Sequence, residues 1–196
     1  MAAPAVKNVV AGKPLATGGV LSGPEGTALP TDATTALNAG FKALGYASED
    51  GLTRSTERST EKVRAWGGDI VKVVQSEFSV TYSVTLLGAT DADVLKVVYG
   101  DDNVTTTAAD ATHGTRQAVA VNGDELPYRP FVFEMKDGKT RLRIVVPNGR
   151  VTEVGEISYT DSGVVAFPLT IEAFEDEDGN NSYEYSDDGV HTSGGA

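Results

Sequence analysis

Glu77-Phe78-Ser79-Val80-Thr81-Tyr82-Ser83-Val84-Thr85-Leu86-Leu87 is the stretch that decides the fold class. Phe78, Val80, Tyr82, Val84 and Leu86 fall on one side of an extended chain. Glu77, Ser79, Thr81, Ser83 and Thr85 fall on the other. Alternation of period two, sustained over this length, marks a strand buried on one face only. The second face is polar but almost uncharged. A helix would have scattered these apolar side chains around its axis.

Working outward, the next segment is the best helix of the chain. Thr90 or Asp91 can cap it, and Val94, Leu95, Val97 and Val98 form an apolar stripe that ends at Gly100. At two to three turns it needs a sheet to pack on. Asp101–Gly114 reads as a polar loop, and Arg116–Val121 as a strand before the turn Asn122-Gly123-Asp124. Arg129–Lys136, the turn Asp137-Gly138 and Thr140–Val146 read as a hairpin. Pro147-Asn148-Gly149 is expected to turn into a strand Arg150–Thr160. A last strand is expected over Val164–Phe174, where Pro168 predicts an edge position or a bulge.

Upstream, Gly51–Trp66 predicts two strand pieces around an exposed loop near Glu57–Glu61. The break Gly67-Gly68-Asp69 and a strand Ile70–Val74 follow. Thr31–Leu44 is ambiguous, with Asp32 placed to cap a short turn. Residues 1–35 hold Pro4, Pro14, Pro24 and Pro30 among glycines, with no persistent period. Their apolar anchors, including Val6, Val9, Val10, Leu15, Val20, Leu21 and Leu29, suit an arm that orders on a neighbour. The expected organisation is an N-terminal arm at 1–35, a β-sandwich or small barrel at 36–174 and an acidic tail or second arm at 175–196. The domain carries a long loop near 49–62 and one flanking helix near 91–99. The class is mainly β.

Composition narrows the function. The formal net charge is −12, from 28 acids against 16 Lys and Arg. Such a chain repels nucleic acid and anionic membranes over most of its surface. No apolar run is long enough to span a bilayer, and Met1–Lys7 lacks the pattern of a secretory signal. There is no cysteine, so disulfides, thiolate metal sites and a cysteine nucleophile are excluded.

Chemistry-bearing motifs are missing. His113 and His191 lie in Gly/Thr-rich loops without metal-pair spacing, and no nucleophile elbow is present. Gly138-Lys139-Thr140 lacks the earlier glycine and the following helix of a phosphate loop, so it reads as a hairpin turn. Asp176-Glu177-Asp178-Gly179-Asn180 resembles the start of a calcium loop. Asn181 would then take the turn position and Asp187 the bidentate one, where Asp substitutes poorly for Glu, and no flanking helices are evident. A solvated acidic segment is the better reading. No cofactor, metal or catalytic group is expected. Trp66, beside Gly67-Gly68, could plug the core or sit on a binding face.

A sheet with open edges polymerises unless those edges are protected. A protein that assembles on purpose would use edges and arms as couplers, and head-to-tail contacts that close give rings. In such an assembly the face holding Ser79, Thr81, Ser83 and Thr85 could line a lumen.

The order of segments resembles the major tail-tube proteins of long-tailed, non-contractile bacteriophages, particularly those infecting actinobacteria. The residues that carry the resemblance begin with Val9-Val10-Ala11-Gly12-Lys13-Pro14 and Gly18-Gly19-Val20-Leu21. Ala43-Leu44-Gly45-Tyr46, Gly51-Leu52-Thr53-Arg54 and Ala65-Trp66-Gly67-Gly68-Asp69 follow, then the strand Phe78–Leu87 and the helix Ala92–Tyr99. The resemblance spans about residues 6–175. It implies hexameric rings, stacked around a tape-measure protein and bounded by tail terminator and tail-tip proteins. Phage DNA would pass through without specific binding. It implies synthesis in the host bacterial cytoplasm and a final place in the virion tail. Expected interface residues are Val9, Val10, Leu15, Val20, Leu21, Arg54, Arg58 and Glu61. Two alternatives carry similar physics: a tube protein of a contractile injection or secretion system, and a β-sandwich decoration or carbohydrate-binding module, which would expose aromatics on one face.

Overall fold

A computed structural model describes residues 9–15 and 18–191. The strands are β1 Val20–Ser22, β2 Lys42–Ala43, β3 Ala47–Arg64, β4 Ile70–Leu86 and β5 Val104–Thr107. β6 Arg116–Val119, β7 Arg129–Asp137, β8 Thr140–Val154, β9 Phe167–Phe174 and β10 Tyr183–Asp187 complete the set. The single α-helix, α1, spans Ala92–Tyr99. One antiparallel sheet runs in the order β2-β1-β7-β8-β9-β4-β3, and β10 adds to the free side of β8. β5 and β6 form a separate pair.

β8 is the spine of this sheet. Its first half, Arg141–Val145, lies between β7 and β10. Its second half, Asn148–Val154, pairs with β9. Pro147 sits where the β10 pairing has ended and the β9 pairing has not begun, so its missing N–H breaks no ladder. Gly149 is needed for close approach. A Cβ there would stand 2.7 Å from the Phe131 ring and 3.2 Å from Ile171. The expected turn at 147–149 is therefore a continuous, bent strand, and the strand expected to begin at Arg150 starts at Thr140.

The bend brings the inner faces of the two half-sheets together. Tyr82 of β4 stacks on Phe133 of β7 at 5.4 Å between ring centroids, although these strands are not neighbours in the sheet. Around them lie Val80, Val84, Leu86, Phe131, Val146, Leu169 and Ile171, all buried. The period-two pattern of β4 is thus obeyed over Val80–Leu86, with Phe78 half-buried at its margin. β9 alternates in the same way, with Phe167, Leu169, Ile171 and Ala173 inward. α1 lays Val94, Leu95, Val97 and Val98 onto the same core. Its cap is Asp91, whose Oδ1 accepts from the Asp93 N–H at 2.9 Å. The β-rich class with one flanking helix is the one expected.

Three more expectations need correction. The loop expected near 49–62 is strand, because β3 runs unbroken from Ala47 to Arg64. The separate strands at 70–74 and 77–87 are one strand. The Thr/Ser/Arg/Glu sequence of β3 forms a ladder because every residue from Leu52 to Arg64 has a cross-strand partner in β4. Pro168 is not at an edge, since β9 lies between β8 and β4. It is the second residue of its strand, its carbonyl accepts from the Gly155 N–H at 2.8 Å, and a bulge falls on β8 between Val151 and Glu153.

The expected arms are folded over much of their length. Pro14 bridges Met135, and Leu15 N–H donates to the Glu134 carbonyl at 3.1 Å. β1 then continues along β7. At the other end, the segment expected as an acidic tail supplies β10. Tyr183 and Tyr185 pack on a second small cluster with Phe41, Val132 and Val145. A nearly closed ion pair holds this side. Arg143, 3% exposed, donates to Glu134 (Nε to Oε1, 2.9 Å) and to the carbonyls of Asp32 and Thr35 at 2.8 and 2.9 Å.

Candidate assembly surface

β4 pairs with β9 only from Val80 to Leu86, whereas its pairing with β3 continues to Arg64↔Ile70. From Glu57↔Ser79 outward the chain is therefore a bare two-stranded hairpin. At about 3.3 Å per residue its β3 side projects roughly 25 Å. The turn Ala65–Asp69 closes it. Ala65 N–H donates to the Asp69 carbonyl at 2.8 Å, and Arg64 Nη1 to the Gly68 carbonyl at 2.8 Å. Gly67 and Gly68 take φ of 116° and 99°, which only glycine adopts without strain.

Residues directly opposite in a ladder share a face. The register puts Arg58, Thr60, Lys62 and Arg64 on one face with Phe78, Gln75, Val73 and Ile70. It puts Glu57, Ser59, Glu61 and Val63 on the other with Ser79, Glu77, Val74 and Lys72. One face is basic and the other mostly acidic. Two register shifts, at Ser59/Thr60 and Val63/Arg64, keep the faces in phase over this length. Val63, Ile70, Val71, Val73 and Val74 are all exposed, and Trp66 at the tip is fully exposed. A lone hairpin is marginal in water, and an apolar one invites pairing. Nothing among the described residues of the same chain covers it.

The second surface is the outer face of β3, β4, β9 and the end of β8. Ser79, Thr81, Ser83 and Thr85 lie there as expected, opposite Glu57, Ser55 and Thr53 on one side and Glu172, Thr170 and Pro168 on the other. Glu153 and Arg150 extend the face. Arg150 is engaged by Glu125 at 3.0 Å and stacks over Tyr128 and Phe174 at 5.0 and 5.4 Å. Hydroxyls and carboxylates dominate what is left. A shallow depression of about 280 Å³ in this face is lined by Asp50, Thr53, Ser83, Thr85, Glu153 and Thr170 among others. Such a surface repels phosphates, its Arg150 being already held by Glu125.

A family model described as phage tail tube protein matches residues 3–193. The chain belongs to the phage tail tube protein family. No curated protein matches it closely enough to count as a relative.

The remaining predicted positions of this tail tube protein divide by exposure. Val9 is exposed, and Val10 and Leu15 are half-buried. Val20 is buried in the chain's own core, with nothing left to offer a neighbour, and Leu21 packs on the second cluster. Arg54 pairs with Glu184 of β10. Arg58 lies over the Phe78 ring at 4.7 Å and donates to Gln75 Oε1 at 2.6 Å. Glu61 is exposed on the opposite hairpin face. Trp66 does not plug the core. Of the two places left open for it, the exposed one holds. The exposure of Val71 and Val73 was the part sequence reasoning missed; the signal was the apolar residues of 70–74 set against a charged partner strand.

The resemblance to a calcium loop has a local explanation. Asp176 Oδ1 accepts from Asp178 and Asn180 N–H at 3.0 and 2.9 Å, and Oδ2 accepts from the Tyr183 hydroxyl at 2.6 Å. These bonds, the Tyr183 one foremost, hold its carboxyl below the usual range. The residue closes a turn. Among the described residues no His, Cys, Asp and Glu cluster in a metal-holding arrangement. His113 belongs to another such turn, its N–H donating to Asp110 Oδ1 at 2.8 Å. No helix among the described residues is long and apolar enough to cross a membrane.

Proposed function

We propose that six copies of this tail tube protein close into a ring, that rings stack into the phage tail tube, and that DNA reaches the host through its lumen. The observation that carries the reading is the β3–β4 hairpin, a two-faced projection with apolar side chains and no intrachain cover. Opposite charges on its two faces let one copy's basic face meet another's acidic one. The hydroxyl and carboxylate face of β3, β4, β9 and β8 faces the lumen, with Ser79, Thr81, Ser83 and Thr85 at its centre. DNA slides past it without binding because the carboxylates repel its phosphates and Arg150 is already engaged by Glu125. Val9 and Val10 add contacts between copies. The protein acts structurally, without catalysis. It is made in the host cytoplasm, and its partners are a tape-measure protein within and terminator and tip proteins at the ends.

Negative-stain microscopy of the purified chain tests this directly. Rings or tubes with six-fold symmetry are the expected result. A monomer that persists at high concentration would refute it.

A further inference from the structure

The hairpin tip carries Trp66, the single tryptophan of the sequence, with its indole wholly in solvent. A fixed, fully exposed indole is costly to leave in water, since an aromatic of this size buries about 150–250 Å² when it finds a site. A site of matching chemistry exists on the same chain, beyond the reach of its own tip. It is a groove of about 660 Å³ between α1, β6 and the segment before β9. Leu95 and Phe167 form its floor, and Tyr99, Val119, Val121 and Tyr159 its walls. No charged residue lines it. Val121 and Tyr159 are 78% and 75% exposed, so the walls are as unfinished as the tip. The Tyr99 hydroxyl titrates above its usual value, first through burial and then through Tyr159 nearby.

The placement of the two features points to a second copy as the occupant. Trp66 precedes the first residue of β4, Ile70. The groove lies at the other end of the same strand, where Phe167 pairs with Leu86 and α1 follows. Tip and groove thus face away from each other along β4. Translating one copy along that axis carries the tip of one onto the groove of the next. A contact of this kind is heterologous and propagates. Charge agrees with the apolar match. Residues 62–72 carry Lys62, Arg64 and Lys72 against the single acid Asp69, on a chain of net charge −12. Next in sequence to residues of the groove lie Asp91, after Thr90, and Asp161, two beyond Tyr159, and Arg116 of β6 is already paired with Asp110. Within the groove, Gln117 offers an acceptor for the indole N–H.

We infer that Trp66 of one copy seats in the groove between α1 and β6 of the next copy along the tube, locking successive rings. This rests on the tube reading above and names its contact.

Because Trp66 is the sole tryptophan, intrinsic fluorescence of the full chain reports the contact. Emission should move to the blue as polymers form and return on dilution. Trp66→Ala should raise the critical concentration for assembly about thirtyfold, the ratio of a 2 kcal/mol hot spot at 1.4 kcal/mol per tenfold. Val121→Asp, on the groove side, should do the same. Both positions are exposed, so the monomer's thermal unfolding should not move in either variant. The absence of native cysteine allows a direct check: Ala65→Cys and Val121→Cys subunits, mixed and treated with a bifunctional maleimide, should cross-link only when assembled. Polymers with unshifted emission, Trp66→Ala assembling at the wild-type concentration, or Ala65→Cys linking elsewhere than to the groove would overturn the pairing and leave the tube reading standing. Wild-type protein that forms no polymer would overturn the tube reading and this inference with it.

Discussion

Replacing Glu134 by alanine removes the acid that pairs with Arg143. The guanidinium is 3% exposed, and Glu134 receives both its Nε and one Nη. Its other Nη remains bonded to the carbonyls of Asp32 and Thr35. Those neutral acceptors cannot balance a buried charge. Stranding one partner of a buried pair costs roughly 3–5 kcal/mol. With two carbonyl bonds retained, the lower end applies, about 3 kcal/mol. For a chain of this size that corresponds to a loss of about 6–12 °C in midpoint temperature. Arg143→Met removes the charge instead but leaves Glu134 and two carbonyls short of donors, about 1–3 kcal/mol each if they stay dry. The double variant Glu134→Leu, Arg143→Met should recover part of either loss, because neither charge is stranded. The assay is urea unfolding of dilute, unassembled protein, followed by circular dichroism as a double-mutant cycle. Single variants within 1 kcal/mol of wild type, or losses that simply add, would refute the buried-pair account.

Asp32 accepts from both Thr35 groups and both Thr34 groups, with the Thr35 hydroxyl foremost, so its carboxyl is held well below the usual range. A depressed folded pKa gives stability that is present above the unfolded aspartate value of about 3.9 and is lost as pH falls towards the folded one. Wild type should therefore unfold at a higher temperature than Asp32→Ala at pH 6, with the gap narrowing below pH 4; a gap constant from pH 6 to 3 would count against the turn. Asp91→Ala should cost about 1 kcal/mol through loss of the α1 cap, measured by urea unfolding, and a neutral result would deny the cap its role. Replacing residues 58–78 by a two-residue Asn-Gly turn, which joins the opposed pair Glu57 and Ser79, should leave the monomer's fold intact and abolish polymers under the microscope. Polymers of normal length would remove the hairpin from the assembly.

The core of the fold was legible because each core strand obeys a rule that acts within the strand. Val80–Leu86 alternates because one face is wet, and Asp91 caps α1 because its own carboxylate reaches Asp93 N–H. The misreadings share a different cause. Pro147-Asn148-Gly149 has turn composition, yet it extends because the ring of Phe131, eighteen residues before Gly149, fills the space over that glycine. Val20 looked like a free anchor because its partner strand β7 lies more than a hundred residues away. Glu57–Glu61 looked like a loop because neither of its faces is apolar, the strand having no core beneath it there. On the candidate surfaces, the Ser/Thr face was readable from alternation alone. The exposure of Trp66 was not, since exposure is decided by what fails to pack against a residue.

That last point bears on how a tube subunit differs from a monomeric sheet protein. A monomer hides or disarms its edge strand with charge, proline or brevity. Here β3 is an edge of the sheet and also its longest strand, and its charges do not disarm it. Arg58, Lys62 and Arg64 share one face and Glu57 and Glu61 the other, so each face of the hairpin repels a copy of itself and attracts its opposite. Stacking two hairpins by like faces is disfavoured, whereas unlike faces meeting in one direction are favoured. The negative net charge adds a general repulsion that only such a matched contact overcomes. The same residues that keep dilute subunits apart thus set the polarity with which they join. A copy with Arg58, Lys62 and Arg64 changed to Glu should accordingly fail to add to its own kind at any salt concentration at which wild type polymerises. Light scattering would show it, and normal polymerisation of that variant would refute the charge-polarity argument.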